Sequence, residues 1–169
     1  MGVLEAFLTT WELARSTFGE GTPRGGDDFD ESTRFRRLQS ELQTAGPTPD
    51  WTGAASDDYA EANRRQSGAL GAMADLDERL KAEIDRSAAV VSAGRRDLDA
   101  VRQWVVDAAS SVPRTPLGER MLLPVVSKGA GEVAEIIHRS NADLDAIAGR
   151  IRALGDEYGE LNPPEAEGD

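Results

Sequence analysis

The chain has no cysteine and a single histidine, His138. The first absence excludes a disulfide, a thiolate nucleophile and any zinc–cysteine site. The second leaves Glu135-Ile136-Ile137-His138 as one isolated Glu-x-x-His element. Di-iron chemistry in a helical bundle needs two such elements and further inward carboxylates. Ser110 and Ser111 have no base singled out near them, and nucleophilic catalysis requires one. Asp97/Asp99 and Asp143/Asp145 are spaced two apart, so each pair points to different faces of a helix. No catalytic, metal or cofactor-binding residue is expected, and the chain is read as a non-enzyme. Basic residues are the minority, 19 Lys and Arg against 31 Asp and Glu, for a net charge of −12. Bulk electrostatics therefore argue against nucleic acid and anionic membranes as partners. No apolar run approaches the ~20 residues needed to span a bilayer. The N-terminus has no basic segment followed by an apolar core, so no signal peptide is expected. Ala6 stands where a myristoylation signal wants Ser or Thr.

What is present is helical periodicity. A chain of 169 residues is expected to form a single helical domain over 1–162, followed by a short, acidic, disordered tail over 163–169. At this length roughly 68–70% of the unfolded surface can be buried. Val3, Leu4, Phe7, Leu8, Trp11, Ala14 and Phe18 recur at spacings of three and four, which predicts a helix over 1–18. A mobile loop over 19–29 is rich in Gly and contains Pro23. A second helix is expected over 30–45, with Phe35, Leu38 and Leu42 on its face, a start capped by Asp30 or Ser32, and a stop at Gly46-Pro47.

The segment 54–112 contains no proline and reads as heptads. Leu70, Asp77, Ile84, Val91, Leu98, Val105 and Val112 form one register. Met73, Leu80, Ser87, Gly94, Val101 and Ala108 form the other. A period of 3.5 held this long predicts a coiled-coil-type seam on a helix of about 90 Å. Ser92-Ala93-Gly94 is the weakest stretch, where a kink or break is expected if there is one. Pro113 and Pro116 break the pattern. A last helix is expected over 117–160, with Pro124 in its first turn or interrupting it, and with Val126, Ala130, Val133, Ile137, Ser140, Leu144, Ile147, Ile151, Leu154 and Tyr158 facing the second half of the long helix antiparallel. The fold class is all-α: a long antiparallel helical hairpin with a C-terminal helix, forming an elongated bundle.

The junction between the second helix and the long one is Trp51-Thr52-Gly53. A glycine there tolerates a dihedral other residues avoid and lets two backbones approach closely. A tryptophan can bury a large area against a neighbouring helix while its indole N–H finds an acceptor. The Trp-x-Gly turn resembles that of the helical hairpins exported by type VII secretion systems of actinobacteria. Its flanks resemble the EspA/EspE-like branch. The carrying stretches are Gly19-Glu20-Gly21-Thr22-Pro23-Arg24-Gly25-Gly26-Asp27-Asp28-Phe29, then Pro49-Asp50-Trp51-Thr52-Gly53-Ala54-Ala55 with Tyr59 and Asn63, then Asp75-Leu76-Asp77. The resemblance covers residues 1–112. That branch usually continues into a strongly apolar and then Pro/Gly-rich region, where this chain ends in a charged amphipathic helix.

The resemblance implies a type VII secretion-associated substrate or effector that pairs its helices with a small helical partner and engages the secretion machinery. It also implies synthesis in the cytoplasm followed by secretion or association with the cell envelope. The family's export signal combines a Trp-x-Gly turn with Tyr-x-x-x-Asp/Glu on the partner. This chain carries Tyr59-Ala60-Glu61-Ala62-Asn63 and Tyr158-Gly159-Glu160-Leu161-Asn162, with Asn in the acidic position both times, so the partner is expected to supply that half. The export and partner-binding residues implied are Trp51, Gly53, Tyr59 and Asn63. Phe7, Trp11 and Phe18 either pack on the hairpin or stand exposed as a docking face. The competing readings are a self-associating scaffold and a chaperone or adaptor for another secreted protein.

Overall fold

A computed structural model describes residues 2–161. The tail expected over 163–169, and Asn162 at the end of the second Tyr-x-x-x-Asn, lie outside the described residues. Four α-helices follow one another: α1 Val3–Thr17, α2 Ser32–Thr44, α3 Ala54–Ser110 and α4 Pro116–Leu161, with a 3-10 turn at Gly26–Phe29. Among the described residues there is no strand. The chain is all-α. It forms two compact units, one of Met1–Arg24 with Arg86–Ile147 and one of Gly25–Asp85 with the chain from Ala148 on.

In the first unit α1 lies on the α3/α4 pair. Phe7 and Ala14 of α1 join Leu98, Val101 and Val105 of α3 and Val133 and Ile136 of α4 in one buried cluster. The helices approach closely because the sequence supplies glycine at the crossings. Gly129 of α4 faces Val105 and Phe7, and Gly94 of α3 faces the ring of Phe18. Gly94 is therefore a seat for an aromatic ring and not a break, and α3 runs through it as one helix. Polar contacts fix the register. The indole N–H of Trp11 donates to the Leu98 carbonyl at 2.7 Å. The Arg95 guanidinium donates to the carbonyls of Phe18 and Gly21. Arg139 pairs with Asp97 at 2.9 Å. Phe7 is buried in this core at 3% exposure, and Trp11 and Phe18, half-buried, pack against it.

In the second unit α2 runs antiparallel to α3. Arg36 of α2 bridges Asp75 and Glu78, and Gln39 lies against Gly71. The segment before α2 is tied down. Gly26 sits against the Lys81 backbone and donates its N–H to Asp85 at 2.6 Å, and Lys81 pairs with Asp27 at 2.8 Å. Asp30 accepts the Ser32 amide at 3.0 Å, which serves the start of α2. Asp77, a polar position in the heptad seam, is buried and accepts the Glu31 amide. Burial pushes the phenol of neighbouring Tyr158 up, and the Asp77 carboxylate adds to the effect. In this unit α4 also runs antiparallel to α3, with a bidentate Arg79–Glu157 pair at 2.6 and 2.8 Å and an Arg150–Glu83 contact at 2.9 Å.

The α4 stripe differs from the heptad reading in its first half. Ala130 is exposed, and Gly129 and Ile136 are buried instead. A straight helix drifts by about 20° per heptad against a strict 3.5 repeat, so a seam read from a fixed register slides off the contact face. Pro124 lies inside α4.

Candidate interaction site

The hairpin between α2 and α3 ends in Ala45–Gly53, and its tip is built by residues of the first three turns of α3. A helix leaves its last carbonyls without internal partners. At the end of α2 they are served from across the hairpin. Asn63 donates its side-chain N–H to the Leu42 carbonyl at 2.7 Å, and the Tyr59 hydroxyl donates to the Ala45 carbonyl at 3.1 Å. Ala45 donates its own amide to Glu41 at 3.0 Å. The Ser56 hydroxyl, buried at 5% exposure, donates to the Trp51 carbonyl at 2.7 Å, and the Asp57 amide closes on Gly53 at 3.1 Å. Trp51 donates its amide to Thr48 at 3.0 Å, which closes the turn itself.

Gly53 has φ +111°, in the left-handed region where only glycine is comfortable. No atom lies within 4 Å of where a Cβ would stand. The glycine is thus required by backbone conformation, and the close approach of two backbones expected at this position is absent.

The tip places Trp51 and Tyr59 side by side, with ring centroids 5.2 Å apart and planes tilted by 45°. Both rings remain substantially exposed, at 44% and 41%. Offset, tilted pairs of this kind are favourable beyond the area they bury. Asp50, Asp57, Asp58 and Glu61, close in sequence to the pair, are also exposed. Trp51, Gly53, Tyr59 and Asn63 are brought together here, with two different duties. Gly53 and Asn63 hold the tip, Trp51 presents a face, and Tyr59 does both. Spacing alone gives no signal of Asn63 as a cap, because its acceptor lies on another helix.

His138 is exposed on α4, and among the described residues no group of three His, Asp or Glu side chains is placed to hold a metal ion. No helix among the described residues is long and apolar enough to cross a membrane.

The family model of the EspA/EspE family matches residues 18–100, a span that contains α2, the tip and most of α3. The chain is 31% identical over 121 residues to the ESX-1 secretion-associated protein EspE of Mycolicibacterium smegmatis, a match covering 71% of this chain and 22% of that protein. The chain thus spans about a fifth of the length of the curated relative it matches. No solved structure matches it.

Proposed function

The chain is an EspA/EspE-like protein, and from that premise we propose that it is a type VII secretion-associated substrate or effector that acts by pairing with a small helical partner and performs no catalysis. The partner supplies the Tyr-x-x-x-Asp/Glu half of the export signal, and this chain supplies the Trp-x-Gly half. The reading is supported by one observation above all: the tip satisfies its own polar groups internally yet leaves the Trp51–Tyr59 pair open to solvent. Exposed aromatic rings on a rigid turn are what an interface anchor requires. The α3 seam is not free for this role, because α1, α2 and α4 of the same chain cover it.

The test is co-expression with the proteins encoded beside it in a host with an active type VII system, followed by assay of culture filtrate. Export of the wild-type chain with its neighbours is expected, with loss of export for Trp51→Ala at an unchanged melting temperature. Export of the chain produced alone would show that no partner is needed. A stable homo-oligomer that ignores its neighbours would favour the scaffold reading instead.

A further inference from the structure

The first unit carries a second surface unrelated to the tip. Where α1 begins, α3 ends and α4 begins, a groove of about 960 Å³ opens, lined on its apolar side by Val3, Leu4, Val106, Val112, Leu122 and Leu123. Of these, Leu123 of α4 is 52% exposed, a large apolar side chain left open to solvent in an apolar groove, as at an interaction site.

Charge selects the occupant. Arg114 and Arg120 line the groove with Glu119 as the one acid among its lining residues. Neither arginine has an ion-pair partner among the described residues, in a chain whose net charge is −12. A concave apolar floor with two unpaired guanidinium groups complements an apolar stripe flanked by carboxylates.

We infer that this groove docks an amphipathic helix of a partner protein, apolar on the face it buries and acidic on its flanks. The inference stands apart from the proposed export signal, since it uses neither the tip nor the second unit.

The test titrates the full chain, by fluorescence anisotropy, with a designed helical peptide that carries leucines one turn apart and flanking glutamates. Its lysine-flanked counterpart is titrated in parallel. The glutamate peptide is expected to bind roughly tenfold more tightly at low salt, with the gap closing as salt rises. Leu123→Glu should abolish binding. Arg114→Glu with Arg120→Glu should reverse the preference between peptides. These side chains sit at the surface, so circular dichroism melting is expected to match the wild type and to separate lost binding from lost fold. Equal binding of the two peptides, or binding of neither, overturns the inference. So does a wild-type dimer in light scattering that Leu123→Glu converts to monomer, which would make the occupant a second copy. Co-sedimentation with phosphatidylglycerol vesicles that outcompetes the peptide would make it a lipid surface, and overturns it as well.

Discussion

Asn63→Asp separates two meanings of one residue. By motif, aspartate at this position completes Tyr-x-x-x-Asp and should improve an export signal. By structure, it breaks the tip. The Asn63 side chain donates to the Leu42 carbonyl at 2.7 Å in a half-buried setting. Aspartate has no donor when ionised, so the hydrogen bond goes, at a cost of about 1 kcal/mol. It also sets a carboxylate against the negative end of α2, which adds roughly 0.3–1 kcal/mol. The sum is about 1.3–2 kcal/mol, or a fall in Tm of roughly 3–8 °C for a chain of this size. Thermal melting by circular dichroism at neutral pH reads it directly. The acid limb offers an internal control. Once protonated, the introduced carboxyl regains a donor, so the variant's deficit against wild type at the same pH should shrink below about pH 4. A variant that melts with the wild type at neutral pH would refute the capping role, and the motif reading of Asn63 would then be the better one.

Two neighbouring glycines of α4 test the docking of α1. A Cβ at Gly129 would stand 2.6 Å from Val105 and 3.1 Å from Phe7, whereas a Cβ at Gly131 meets nothing within 4 Å. Alanine gains about 1 kcal/mol of helix propensity at either site, so the difference between the two variants isolates the clash. Gly131→Ala is expected to melt above Gly129→Ala by roughly 2–12 °C, which corresponds to about 1–3 kcal/mol, and equal melting would rule out the Phe7–Gly129–Val105 contact. Acid should destabilise the second unit. Hydrogen bonds from Ser32 hold the Asp30 carboxyl below its usual range, the Gly26 amide and then Lys81 do so for Asp85, and Arg79 does so for Glu157. Each binds a proton less readily folded than unfolded. Their contribution is therefore present above the ordinary carboxylate range near pH 4 and lost as pH falls through the lowered values, so Tm followed from pH 7 to pH 3 should drop only at the acid end, and a rise there would contradict these contacts. Arg95→Met removes the donors to the Phe18 and Gly21 carbonyls; amide hydrogen exchange should speed up in residues 16–22 and not across α2.

The sequence made the helices readable because proline and glycine sit where they stop. Gly46-Pro47 follows the end of α2 at Thr44, and Pro113 separates α3 from α4. It made the core of the first unit readable because Leu98, Val101 and Val105 hold a repeat. The same logic misjudges glycine. Gly94 reads as weak helix until the ring of Phe18 is placed on it, and a heptad reading takes Ala130 over Gly129 because a residue without a side chain carries no hydrophobic signal. Groups whose partners lie far along the chain are equally hidden. Asn63 serves a carbonyl on α2, and Arg95 serves two carbonyls beyond α1 although its acidic neighbours in sequence suggest a salt bridge. At the tip, the residues were legible and their division of labour was not. The groove was illegible altogether, since Leu122 and Leu123 look like ordinary helix residues until the chain around them is folded.

The protein has three tryptophans, Trp11, Trp51 and Trp104, and the second unit contains only Trp51. Replacing Trp11 and Trp104 with phenylalanine would therefore leave one tryptophan, which can be excited apart from tyrosine and is already positioned on the hairpin turn against Tyr59. Its emission is expected to lie toward the red while the indole is wet and to move to the blue when another molecule covers it. The turn thus reports its own occupancy, without a label attached to the surface being measured.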